Sequence, residues 1–235
     1  MPYYGYGYYF DPTYMLVLIG VVISLIASAK VKGTYAKYSK VRSRSGMTGA
    51  QAADRILKSA GLYEVRIEHI AGSLTDHYDP RTKVLRLSDS VYGSASVAAI
   101  GVAAHECGHA IQDDRSYAPL RIRNTLVPAA NIGTQAAWPI ILVGLFLGSS
   151  SFLINLGILL FSLGVLFQIV TLPVEFDASA RAIRILGDSG ILYEEEVKQT
   201  RKVLSAAAMT YVAAAAASIL SLLRLLILFG GRDRD

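Results

Sequence analysis

The sequence predicts a mainly α, multi-pass membrane protein in which about four transmembrane helices carry a small cytoplasmic α+β part. Three observations predict it. Of 235 residues, 53% are hydrophobic and 17% charged, which is too apolar for a soluble domain. The apolar residues gather into blocks at about 14–29, 127–148, 151–172 and 205–229, leaving polar stretches at 30–126 and 173–204. Finally, 20 of the 23 lysines and arginines lie in those two polar stretches, so both face the cytoplasm and both termini lie outside.

The first block, Tyr14 to Ala29, carries no charge and spans about 24 Å as a helix, slightly less than a bilayer core. Tyr8, Tyr9 and Phe10 complete it as an aromatic anchor at the interface. No positive n-region precedes it, so a cleavable signal is not expected. Lys30, Lys32, Lys37, Lys40, Arg42 and Arg44 follow directly, in the position of topology-setting charges. Because the net charge of +5 is concentrated at such flanks, nucleic-acid binding is not expected. Cys107, the one cysteine, excludes an internal disulfide framework.

In the polar stretch, Thr48 and Gln51 have capping-box spacing, and Ala52, Ala53, Ile56, Leu57 and Ala60 follow at helical intervals up to Gly61. Val65–Ile70 and Lys83–Ser88 alternate as short strands of a small antiparallel sheet, with a turn at Asp79-Pro80-Arg81-Thr82. From about Ser94 to Gln112 the chain reads as a helix. Gly101 and Gly108 lie on the face of His105, where another backbone can approach.

The second membrane segment contains Asn131, Thr134, Gln135 and Pro139, so its first half should face protein or water. The third is joined to it by only Gly148, Ser149 and Ser150, a tight antiparallel hairpin. Pro173 then marks the start of a new helix. Glu194, Glu195 and Glu196, followed by Lys198, Arg201 and Lys202, read as a solvated helix face. The fourth segment has an Ala-rich stretch at Ala213–Ala217 for close helix packing, and Arg224 sits near enough to its end to snorkel.

The chemistry is carried by His105-Glu106-Cys107-Gly108-His109, which is H-E-x-x-H on a predicted helix. The i, i+4 spacing puts both imidazoles on one face, where they can grip one Zn²⁺, while Glu106 can serve as general base toward the water that zinc activates. With this composition, chance would supply about 0.002 such matches. A helix whose histidines only satisfy local hydrogen bonds leaves the accompanying glycines and downstream acid unexplained. A closed structural zinc site would want a fourth protein ligand, usually thiolate, and the one cysteine lies between the histidines. Catalysis needs a third protein ligand. Glu175, in Val174-Glu175-Phe176-Asp177-Ala178-Ser179, is preferred over Asp177; His69 and His77 are lesser candidates, read as sheet-surface histidines.

These motifs, together with Val203-Leu204-Ser205-Ala206-Ala207-Ala208-Met209-Thr210-Tyr211-Val212-Ala213, resemble the bacterial YugP-type membrane zinc metallopeptidases over almost the whole chain. That group is related to the HtpX heat-shock protease and the prenyl-protein endopeptidases. The resemblance implies a gluzincin-like core with His105, His109 and Glu175 as zinc ligands and Glu106 as general base. The wider family has an Asp four residues after the ligand Glu, where this chain has Ser179, so Asp177 and Ser179 contend for supporting the histidines. It also implies that the strand Lys83–Ser88 is the sheet edge that pairs with substrate.

The resulting expectation is a zinc-dependent endopeptidase, with one Zn²⁺ per chain, of the bacterial cytoplasmic membrane. Its active site would face the cytoplasm and its substrates would be cytoplasmic or membrane-associated polypeptides. Arg181 and Tyr211 are candidates for stabilising the oxyanion. An alternative from another class is a zinc-containing binding or assembly partner of other membrane proteins. An intramembrane protease is disfavoured, because Val91–Ala104 is too short to span and ends in polar Gln112-Asp113-Asp114-Arg115.

Overall fold

The computed structural model describes residues 11–230, so the tyrosine-rich start and the terminal Arg232 and Arg234 lie outside the described residues. Four helices are long and apolar enough to cross a membrane: α1 (Tyr14–Tyr38), α5 (Ala118–Phe146), α6 (Ser151–Asp188) and α7 (Glu194–Phe229). Each covers a predicted segment, α5 stopping at Phe146 rather than 148, and each extends beyond its segment at one end. α1 runs on through its lysines to Tyr38, α5 begins nine residues before Val127, and α7 starts at Glu194 rather than Ser205. Hydropathy marks where lipid can lie, whereas the helix stops only where its hydrogen-bond ladder stops.

Pro173 does not start a new helix. It lies inside a single 38-residue α6, where its ring removes one N–H donor without ending the ladder. The carbonyl left without its helical donor is that of Ile169, four residues earlier. The α5–α6 hairpin turns as expected at Gly148 and Ser149, both left-handed (φ 72° and 63°), and Ser150 N–H closes the turn on the Gly144 carbonyl. The two helices approach backbone to backbone. A Cβ on Gly133 would lie 2.5 Å from the Leu160 carbonyl oxygen, and one on Gly157 3.0 Å from that of Ala137.

Arg224, near the end of α7, has an ion-pair partner. Its guanidinium meets Asp11 at 3.2 Å and lies 4.0 Å from the Tyr14 ring centroid, tying the end of α7 to the start of α1. Glu196 is not part of a solvated face either. It is buried, and its carboxylate accepts from the N–H groups of Arg44 and Tyr193, while Glu194 pairs with Lys198 as the spacing predicts.

The remaining elements form a layer at one end of this bundle: α2 (Gly49–Ser59), β1 (Arg66–Ile70), β2 (His77–Asp79), β3 (Val84–Ser88), α3 (Asp89–Tyr92) and α4 (Val97–Asp114). The Thr48–Gln51 capping box is present in both directions. The sheet order is β1-β3-β2, with β2 antiparallel to β3 but β1 parallel to it, so the expected all-antiparallel sheet is corrected to a mixed one. The cause is β2, a three-residue strand too short to read from alternation. The Asp79–Thr82 turn pairs it with β3, leaving β1 the other side. β3 is therefore the central strand, buried at Val84, Leu85, Leu87 and Ser88, and cannot be the free edge that meets a substrate.

The main core joins α2, α4 and β3 to the ends of α6 and α7 through Ile56, Leu85, Leu87, Ile100, Leu186, Ile191 and Leu204. The polar layer and the apolar bundle thus share one packed interior. Gly133→Val should force α5 from α6 and cost about 1–3 kcal/mol by overpacking. Thermal unfolding in detergent should show a lowered Tm, while the same change at open Gly33 should leave it nearly unmoved.

Candidate metal centre

α4 presents His105 and His109 one turn apart, as the spacing requires, and α6 crosses it where neither helix has a side chain in the way. A Cβ on Gly108 would lie 2.6 Å from the Ala178 carbonyl oxygen, so only glycine allows this approach. Gly101, on the same face, meets the Thr200 side chain of α7 instead of a backbone. The crossing sets Glu175 over the histidines. Glu175 Oε2 lies 3.3 Å from His105 Nε2 and 3.7 Å from His109 Nε2.

One donor atom from each of His105, His109 and Glu175 falls within 4.8 Å of the others. Ligands on tetrahedral arms of about 2.0–2.1 Å stand roughly 3.3–3.4 Å apart, close to the spacing seen. Two further observations fit an ion. Glu175 Oε2 is buried without a hydrogen-bond partner, an arrangement that costs free energy unless a cation is held there. Both imidazoles are also engaged at the far nitrogen, leaving Nε2 of each aimed at Glu175.

Those far-side bonds settle which groups steady the histidines. Ser179 Oγ lies 3.1 Å from His105 Nδ1. Gln112 Oε1 lies 3.0 Å from His109 Nδ1, while Gln112 Nε2 donates to the Val174 carbonyl and to Asp177. With its amide nitrogen committed to two acceptors, Gln112 presents its oxygen to His109, whose Nδ1 must carry the proton. Asp177 therefore acts through Gln112, and the contending Asp177 and Ser179 each support a different histidine.

Glu106 is buried beside the histidines, and its Oε2 accepts from the backbone N–H of Tyr78 at 3.0 Å. This sets the outer edge of β2 against the site. The cleft of about 240 Å³ above it is lined by His77, Tyr78, His105, Glu106, His109, Arg123, Asn124, Glu175 and Tyr211. A neighbouring recess of about 190 Å³ shares His105, Glu106, Glu175 and Tyr211 and is walled by Val31, Leu74, Val102, Leu204, Ala207 and Ala208. Tyr211 thus faces the site. Arg181 does not: it pairs with Asp177 and lies against Tyr117.

Arg123 was not singled out by the sequence, yet its guanidinium comes within 3.8 Å of Glu175 Oε1. It sits four residues before the apolar run of α5, where the count of positive residues reads it as a topology charge. His69 is tied to Asp89 at 2.7 Å, and His77 bonds the Thr75 carbonyl and Arg86, so neither joins the triad.

Residues 13–230 match the protein family described as "Putative neutral zinc metallopeptidase". The chain belongs to this family. It is also 48% identical over 221 residues to the "Putative membrane protease YugP" of Bacillus subtilis (strain 168), covering 94% of this chain and 98% of that protein. No solved structure matches it. A zinc metallopeptidase family implies zinc, and this three-donor cluster is the place among the described residues that suits it.

Burial opposes the charged form of His109, but the carboxylates of Glu175 and Glu106 together with Gln112 outweigh it and hold its pKa above the ordinary 6.5. Metal must displace that proton, so zinc affinity should fall as the pH is lowered through this raised value. Calorimetry in buffers of different ionisation enthalpy should detect the proton released. Burial first, and Glu106 second, push the Cys107 thiol well up. Cys107 should therefore resist thiol reagents in the native protein and react once it is unfolded. Gly108→Ala should lose zinc by driving α4 from α6, measured as metal per chain after dialysis.

Proposed function

We propose that this chain is a gluzincin-type zinc endopeptidase, with one Zn²⁺ held by His105, His109 and Glu175 and with Glu106 as general base. The observation that carries the reading is the buried, unpartnered Glu175 Oε2 facing two imidazole Nε2 atoms, with a second carboxylate beside them. Zinc supplies Lewis-acid polarisation of a carbonyl and a water acidified towards neutral pH.

The chain's own residues do the rest. Glu106, oriented by the Tyr78 N–H, takes a proton from the attacking water and returns it to the leaving amine. His105, His109 and Glu175 would hold the ion, and three protein donors are the number that catalytic zinc sites use. Tyr211 and Arg123 border the same cleft and stand where charge develops on the carbonyl oxygen.

The substrate would lie extended along the outer edge of β2, the strand that meets Glu106, in place of the central β3. The recess walled by Val31, Leu74, Val102, Leu204, Ala207 and Ala208 suits an apolar side chain next to the scissile bond. The site would face the cytoplasm of a bacterial cytoplasmic membrane. The charge asymmetry supports this, as does α6, whose residue 175 lies about 36 Å along the axis from Ser151, somewhat more than one bilayer core.

Glu106→Gln should abolish cleavage of an unfolded test protein, by at least about 100-fold for loss of the general base, while zinc content is kept. Unchanged turnover would refute the assignment. Ser179→Ala and Gln112→Ala should each weaken zinc binding by about 10–100-fold. Arg123→Gln should lower kcat with zinc retained if it stabilises charge in the transition state; lost zinc would make it a support for Glu175 instead.

A further inference from the structure

A second groove, lined by none of the metal-site residues, opens between α1 and α7 at the end of the bundle that meets the polar layer. It encloses about 660 Å³ and is lined by Lys30, Lys37, Arg201 and Lys202, with the hydroxyls of Thr34 and Ser205 between them and no acidic residue. None of the four cations has a carboxylate partner among the described residues, although Lys198, one turn earlier on α7, pairs with both Glu194 and Glu195. Four like charges around one hollow repel one another, and a structure that keeps them there is complementary to an anion.

The groove's shape narrows the class of anion. Gly33 leaves it open, since a Cβ there would meet nothing within 4 Å, while Gly20 nearer the other end of α1 is closed by Ala217 at 3.1 Å. The helices therefore touch at Gly20 and leave a hollow beside Gly33. Ala29, Ala206 and Met209 line the wall that continues toward the apolar section, and Tyr38 anchors the far end in a packed cluster with Ala98 and Val203. Cations and hydroxyls that suit a phosphate, beside an apolar wall on two membrane-type helices, match a molecule with an anionic head and hydrocarbon tails.

We propose that this α1–α7 groove binds the headgroup phosphate of an anionic phospholipid, with its acyl chains along Ala29 and Met209. The site is independent of zinc and of peptide cleavage. Lys30 and Lys37, two turns apart on α1, hold the phosphate from one side, and Arg201 and Lys202 hold it from the other. A free phosphate satisfies the cations but leaves the apolar wall uncovered, so lipid is the occupant the geometry favours.

The test is native mass spectrometry of the full chain in detergent, titrated with phosphatidylglycerol, phosphatidylcholine or inorganic phosphate. Phosphatidylglycerol should bind at least tenfold more tightly than phosphatidylcholine. The Lys37→Gln/Lys202→Gln double variant should bind it about thirtyfold more weakly, from about one kcal/mol per charge, with phosphatidylcholine binding unchanged. Lys58→Gln/Arg66→Gln, which removes the same charge from exposed sites elsewhere, should leave it intact, and circular dichroism of all variants should match. Equal binding of the two lipids, equal loss in the two double variants, or displacement of the lipid by millimolar inorganic phosphate would overturn the proposal.

Discussion

The contact on which the site depends is the crossing of α4 and α6 at Gly108 and Ala178, where two backbones meet without a side chain between them. The histidines of α4 can share an ion only if a carboxylate reaches them, and the chain provides it from a helix some 66 residues further on. One turn of α6 then serves three purposes. Glu175 faces the histidines, Ser179 bonds His105, and Asp177 holds Gln112, which holds His109. Because all three project from the same rigid turn, a shift of α6 that disturbs one disturbs all, and the donor cluster behaves as a single unit.

The histidine pair was legible in the sequence because its spacing is a property of one helix, and Glu175 because Pro173 and the return from the hairpin drew attention to its segment. The four apolar segments were legible for a similarly local reason: a bilayer-length run is visible without knowing what it packs against. What escaped the sequence depends on meetings between distant segments. Gln112 looks like an ordinary polar helix residue until Asp177 and Val174 arrive beside it. Arg123 looks like a flanking charge until the packing of α5 against α6 brings Glu175 within reach.

The sheet shows the same limit. Alternation located β1 and β3 to within a residue, but strand direction and neighbour order come from pairing, which a single short strand decided. β2 has only three residues, and one of them, Tyr78, meets Glu106 through its backbone N–H, a group identical in every residue but proline. No side-chain pattern could have revealed it. The same strand, and not β3, is the sheet edge beside Glu106, so the smallest element of the fold has the largest effect on how the cleft is read.

The unbroken course of α6 through Pro173 has a mechanical consequence. Its 38 residues extend about 57 Å, nearly twice the thickness of a hydrocarbon core, with the hairpin at one end and Glu175 past the middle. Over the roughly 36 Å from Ser151 to Glu175, a tilt of a few degrees becomes a displacement of an ångström or more, several times the tolerance of about 0.2 Å that metal–ligand distances allow. Since Asp177 and Ser179 ride on the same helix, a change in the tilt of α6 against α4 would carry the carboxylate and its neighbours together past the histidines.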